Sequence, residues 1–240
     1  MPLIDLNSDV GEGYGVWPGG PDAQLMPLLS SVNVACGAHA GDPVTMRRTC
    51  ELAQQHGCTI GAQVSYPDLL GFGRRFIDMQ PADLEATVLY QLGALEAFAR
   101  VADSAVRYVK PHGALYNAIV THEMQARAVA AAVRAYDPTM PVLGLPGTAI
   151  EQACAQAGVP FVREGFADRR YTAEGTLVPR TQPDALILQP DDAAAQALHL
   201  VARRVQSICV HSDTPGAPAL LEAVAAALAA AGYTVQPFVR

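Results

Sequence analysis

The side chains with the greatest chemical reach in this chain stand in short clusters. Asp9 lies in DLNSDVGEG, His39 in SVNVACGAHAGDP, and Lys110 and His112 in VKPHGALYN. Glu164 opens EGFADRRY, and His211 and Asp213 lie in ICVHSDTP. Each cluster follows a short apolar run. Asp5, Asn7 and Asp9 alternate, so an extended strand would put all three on one face. Three inward polar groups need ligands or partners. Lys110 and His112 alternate in the same way, with Pro111 opposite. A buried lysine needs an anion or a shifted pKa. A phosphate, a carboxylate or a partner aspartate would supply the anion. His112 is suited to carry a proton near neutral pH. Arg169 and Arg180 bracket a polar loop, and guanidinium forks suit carboxylate or phosphate oxygens. Together these groups are equipment for proton transfer and for holding anions.

Structural alternatives accompany each. Asp9 before a glycine-rich turn suits an Asx turn, and Asp42 before Pro43 suits a helix N-cap. Asp213 could cap a helix starting near Pro215. Cys36 reads as a buried, inert thiol rather than a nucleophile. The arginines of 164–171 with Arg180, and the pair Arg74 and Arg75, could form solvated salt bridges instead of an anion grip. Glu12 reads equally as an exposed loop residue. Trp17 could close over a ligand or sit at an interface. His56, His122 and His199 fall in predicted helices and read as structural or exposed.

The elements that must position these groups alternate regularly. Apolar runs predict strands at 3–6, 32–35, 59–64, 106–109, 142–145, 160–163 and 207–210, with an edge-like eighth at 234–239. Helical spacing covers 43–56, 81–102, 114–135, 148–157, 191–204 and 218–231. Polar loops fill 65–80 and 167–183, and the first is too long for a mere connector. Repeated βα units mean a parallel sheet with helices outside. Seven or eight units in 240 residues suit one (β/α) barrel domain over 1–240. The reactive residues would then follow strand ends and converge on one mouth. The doubly wound alternative lacks its GxGxxG fingerprint, and there is no P-loop.

Composition bounds the rest. Half the residues are hydrophobic and 16% are charged, which excludes a disordered chain. The net charge of −7 argues against nucleic acid and anionic membranes as partners. Five cysteines without CxxC spacing fit a reducing compartment. The first residues lack a signal peptide's features. A cytoplasmic protein is expected, and homo-oligomerisation stays open. Fifteen of the 16 basic residues are arginine, and Lys110 is the exception.

The segments DLNSDVGEG, SVNVACGAHAGDP, YPDLLGFGRR, VKPHGALYN, EGFADRRY, LVPR and ICVHSDTP resemble the LamB/YcsF family in colinear order. Its members are described as the A component of a prokaryotic 5-oxoprolinase. The resemblance implies a seven-stranded (β/α), TIM-like α/β barrel of the glycoside hydrolase and deacetylase type. It implies ATP-dependent opening of 5-oxo-L-proline to L-glutamate, with ATP and Mg2+ required and 5-oxoprolinase subunits B and C as partners. On that reading Lys110 would serve the phosphoryl group, and Asp9, His39 or Glu164 would be the base. His112 would be catalytic too. Arg169 or Arg180 would hold the substrate carboxylate. Asn7, Glu12, Gln63, His211 and Asp213 would line the substrate or phosphate site. Gln63-Val64 departs from the family's usual histidine-proline pair, which weakens a metal reading and leaves the metal unknown. Two rivals remain: a metal-dependent deacetylase-like hydrolase, and a non-catalytic scaffold or carbohydrate-binding protein.

Overall fold

A computed structural model describes residues 1–239 of the chain. The chain opens with β1 (Leu3–Val10), a short helix α1 (Asp22–Leu25), a 3-10 turn (Met26–Leu28) and β2 (Ser31–Ala35). Then come α2 (Pro43–Gln55), β3 (Thr59–Val64), α3 (Pro81–Val101) and β4 (Val106–Pro111). Next are α4 (Gly113–Ala118), α5 (Glu123–Tyr136), β5 (Val142–Gly144), α6 (Ala149–Ala157) and β6 (Phe161–Phe166). The chain ends with α7 (Pro190–Ala202), β7 (Ser207–Cys209), α8 (Ala217–Ala230) and β8 (Thr234–Val235).

Strands β1 to β7 pair in chain order, all parallel, and β1 closes the ring against both β2 and β7. The seven-stranded α/β barrel expected from the sequence is therefore present. The short β8 lies outside the ring and pairs with Leu3 and Ile4 of β1. Beyond it, Phe238 and Val239 pack on Tyr108, Leu143 and Val162.

The strands alternate as a barrel requires. Leu6, Val10, Val32, Val34, Ile60, Val64, Val109, Val142 and Ile208 are buried in the main core, shared with the helices. The alternate positions carry Asp5, Asn7, Asp9, Asn33, Gln63, Lys110, Glu164 and Ser207, all 4% exposed or less. An ordinary barrel fills that interior with branched apolar side chains. Here a hydrogen-bonded polar interior replaces most of them.

That polar interior explains why several strands run longer than their apolar runs. Asp9, Lys110 and Glu164 lie inside β1, β4 and β6 rather than after them. A reading that ends a strand at its first polar residue stops too soon when the inner face is polar. The helix expected at 114–135 is two helices, because His122 caps α5 by accepting from the Gln125 N–H at 3.4 Å. The eighth strand ends at Val235, not at 239. Asp42 caps α2, accepting from Val44 and Thr45.

Gly61 answers to packing. A Cβ there would lie 2.2 Å from the ring of Tyr108, which is fully buried. Gly61→Ala is expected to destabilise the chain by about 1–3 kcal/mol through overpacking. Urea unfolding measures it, and an unchanged midpoint would show that the ring has room to move.

Candidate active site

Lys110 reaches across the barrel interior from β4. Its Nζ lies 2.8 Å from Glu164 Oε1 on β6 and 3.2 Å from Asp9 Oδ1 on β1. It also donates to Asn7 Oδ1 and Cys209 Sγ, both at 3.1 Å. Asn33 from β2 donates to Asn7 Oδ1 at 2.8 Å and to Asp9 Oδ1 at 2.9 Å. Tyr116 from α4 donates to Glu164 Oε2 at 2.9 Å. Burial opposes the ammonium, but Asp9, Cys209 and Glu164 hold the Lys110 pKa well above its ordinary value. Burial likewise opposes the Asp9 carboxylate, and Lys110, His211 and His112 outweigh it, so Asp9 stays well below the usual range. Lys110 is thus a charged lysine already matched by two carboxylates. Below this layer Asp5 accepts from Ser30 and Ser31 at 2.6 Å each and from Ser207. Burial pushes its carboxyl up to about 6.

A second cluster joins β3, the segment after β2 and the start of α4. Gln63 donates through Nε2 to Glu12 Oε1 and to His112 Nδ1, both at 2.9 Å. Its Oε1 lies 3.2 Å from His39 Nε2. His112 Nε2 lies 3.1 Å from the Phe72 carbonyl, which can only accept, so Nε2 carries the proton. His112 Nδ1 therefore accepts from Gln63, and His39 Nε2 donates to Gln63. That leaves His39 Nδ1 bare, and it is buried without a partner. Phe72 has φ +54°, a conformation few bulky residues adopt, and its ring packs edge-on against both histidines. Burial, then the neighbouring Asp9, pushes the Glu12 carboxyl up to about 8. Burial pulls His112 down to about 4 and His39 well below its usual value. At neutral pH this cluster carries little charge.

The third group sits after β7 and on the loop following β6. Asp168 is fully buried and accepts from His211 Nδ1 at 3.0 Å, from the His211 backbone N–H at 3.1 Å and from Thr214 Oγ1 at 2.6 Å. Burial opposes its charge, but His211 and these hydrogen bonds hold its carboxyl below the usual range. The His211 ring stacks on Phe166 at 5.1 Å and 13°. Asp213 is gripped by Arg180 at 2.8 Å and by Arg74. It does not cap the last helix, whose N-cap is Gly216. Arg169 is 6% exposed; its Nη2 donates to the Val178 carbonyl at 2.6 Å, and its Nε is buried without a partner.

The three groups meet at one cavity of about 590 Å³ at the C-terminal ends of the strands. Asp9, Glu12, Lys110, His112, Arg169, Arg180, His211 and Asp213 line it. Asn7, His39, Gln63 and Glu164 stand behind that wall, each one hydrogen bond from a lining residue or from Gln63. Charge is layered: the floor has more carboxylate than ammonium, and the rim sets Arg74, Arg169 and Arg180 against Asp213.

Residues 4–240 match the family model described as the LamB/YcsF family. The chain belongs to the LamB/YcsF family. A protein from Nocardia farcinica, named as the A component of 5-oxoprolinase, is 52% identical over 252 residues, covering 100% of both chains. The crystal structure of Lactam Utilization Protein from Thermus thermophilus superposes with a TM-score of 0.93 at 41% identity, covering 98% of this chain and 100% of that one. The catalytic domain of a peptidoglycan N-acetylglucosamine deacetylase from Eubacterium rectale has a TM-score of 0.54 at 11% identity, covering 98% and 88%. That likeness concerns the fold alone.

Among the described residues of this LamB/YcsF chain, Glu12, His39 and His112 could hold a metal, with ligand atoms within 4.8 Å of one another. Their arrangement does not fit one. The two rings stack at 4.0 Å and 15°, so their in-plane lone pairs run side by side instead of converging. The Gln63 amide also donates to two of the three ligand groups.

Sequence reading missed Asn33, Tyr116 and Asp168. Asn33 had a signal, since it alternates with Ser31 on β2 as Asn7 does with Asp5 on β1. Asp168 stands in the motif EGFADRRY, but its role was hidden because its partner lies 43 residues away. Cys36 is buried, and burial pushes its thiol pKa up, as an inert thiol requires.

Removing Lys110 would leave two buried carboxylates unmatched. Lys110→Met is expected to lose about 3–5 kcal/mol of stability. Adding Glu164→Gln should recover part of that loss. Denaturant midpoints decide it, and equal stability of Lys110→Met and the native chain would show the pair to be dispensable.

Proposed function

We propose that this chain opens 5-oxo-L-proline to L-glutamate in a reaction coupled to ATP cleavage, as the A component of a complex with 5-oxoprolinase subunits B and C. The observation that carries this reading is full-length identity of 52% to the Nocardia farcinica protein named as the A component of 5-oxoprolinase. The name of the Thermus thermophilus relative, Lactam Utilization Protein, agrees with the substrate class. The reading places the reaction in the cytoplasm, where ATP is available.

The chemistry of the cavity supports it. A lactam resists water because its amide is resonance-stabilised. Transfer of the γ-phosphoryl group of ATP to the amide oxygen, with loss of the lactam N–H proton to solvent, would create a reactive imidate-like phosphate. The substrate's own carboxylate then needs a fixed cation, and the phosphoryl oxygens need others. The unpartnered Arg169 Nε suits the carboxylate. Arg180 and Arg74 suit phosphoryl oxygens, exchanging Asp213 for them. Lys110 would act on a ring seated at the floor through its charge rather than through a free hydrogen bond, while Asp9 and Glu164 keep it protonated. Mg2+ would arrive with ATP and screen its phosphates. The deacetylase-like alternative is disfavoured by the stacked histidines, and the scaffold alternative by the density of buried ionisable groups facing the cavity.

Reconstitution with subunits B and C, Mg2+ and ATP is expected to release glutamate from 5-oxoproline only when this chain is present. A full set of folded partners that makes no glutamate overturns the reading. In the active complex, Arg169→Met should raise KM for 5-oxoproline about 10- to 100-fold, the worth of a hydrogen bond to a charged group. An unchanged KM would remove Arg169 from the carboxylate pocket.

A further inference from the structure

Opening a lactam has a requirement that cations do not meet. The ring nitrogen must leave as an amine, because an amide anion is too poor a leaving group. A proton must therefore move from the attacking water to that nitrogen, and one group that takes and then returns it closes the balance. Lys110, Asp9 and Glu164 are committed to one another by 2.8 and 3.2 Å contacts. His112 has both ring nitrogens engaged, with Gln63 and the Phe72 carbonyl. His39 lies behind the cavity wall.

His211 differs from all of these. Its Nδ1 and its backbone N–H both face the buried Asp168 carboxylate, at 3.0 and 3.1 Å. Asp168 is ionised, so it can only accept, and the ring must carry its proton on Nδ1. Thr214 holds the same carboxylate at 2.6 Å, and Phe166 fixes the plane of the imidazole by stacking. Nε2 makes no hydrogen bond to the described residues, on a side chain that lines the cavity. An imidazole oriented by a buried carboxylate, on a side chain that lines the reaction space, is the geometry that acid–base catalysis needs.

We propose that His211 is the acid–base residue of ring opening and Asp168 its positioning residue. This rests on the lactam reading above. As water's oxygen bonds to the activated ring carbon, His211 Nε2 takes water's first proton. The C=N electron pair moves to the nitrogen, which receives that proton from Nε2–H. The second proton, from the new hydroxyl, follows the same route as the C–N bond breaks. The bonding pair stays on nitrogen, leaving an amine and an acyl phosphate. A second water converts the acyl phosphate to glutamate and inorganic phosphate. Asp168 stabilises each transient imidazolium. The titratable groups that bear on His211 are Asp168, Asp9, Asp213 and His112. Lys110 Nζ lies 5.2 Å from the centroid of the Phe166 ring on which His211 stacks.

Two measurements test this. In the chain alone, imidazole 15N shifts should show His211 protonated on Nδ1 and bare on Nε2. In Asp168→Asn the new amide donates to Nδ1 and should move the proton to Nε2. In the complex with subunits B and C, His211→Gln should lower glutamate release about 100-fold or more, with KM for 5-oxoproline changed less than threefold. Asp168→Asn, should His211→Gln fold poorly, is expected to lower kcat at least tenfold and to alter its pH profile. An active native complex whose His211→Gln variant stays within threefold overturns this assignment alone. So does a ring protonated on Nε2 in the native chain. A native complex that releases no glutamate overturns the lactam reading, and this assignment falls with it.

Discussion

The barrel interior is organised around one buried cation. Lys110 stands among Asn7, Asp9, Glu164 and Cys209, contributed by three other strands. A buried ion pair of this kind adds little net stability, because desolvation offsets the attraction. Its effect is to make every alternative arrangement expensive. Shifting any of these strands by one residue would turn its polar partner outward into the apolar layer and leave a bare charge behind. The inner hydrogen bonds thus enforce the same register that the outer apolar faces favour.

The same constraint shapes the site. Because the central ammonium is matched by carboxylates, the floor cannot act as a sink for phosphate charge. Uncompensated positive charge is displaced to the rim, where Arg169 keeps a buried, unpartnered Nε. Between floor and rim lie groups held nearly neutral: Glu12, pushed up to about 8, and the two stacked histidines. An anionic, flat, weakly basic ligand would meet cations at its carboxylate and neutral or acidic groups at its ring.

Much of this was legible in the residues. Alternation in DLNSDV announced an inward polar face, and the βα rhythm announced the barrel. The strand ends were not legible, because apolar runs stop marking strands once their inner face is polar, as at Lys110 and Glu164. The break before α5 was hidden because His122 is an unusual cap, in a role more often filled by serine or aspartate. Asp168 was hidden for a different reason. Its role comes from the pairing of β6 with β7, which brings it beside His211 across 43 residues of chain. Asp213 could be read as a cap or as an anion partner, and only the loops carrying Arg74 and Arg180 decide between them. The Gln63 carboxamide shows the limit most clearly. A single letter marks a departure from the family's habit, but its three bonds to Glu12, His39 and His112 exist only in space.

The burial of Lys110 also leaves the exterior chemically unusual. The chain's one lysine is 2% exposed, so its surface cations are guanidinium groups. No side-chain primary amine is offered to solvent. Reagents and enzymes that modify lysine therefore have no surface target among these side chains. Coupling of an amine-reactive label to a side chain would report on opening of the barrel rather than on its surface.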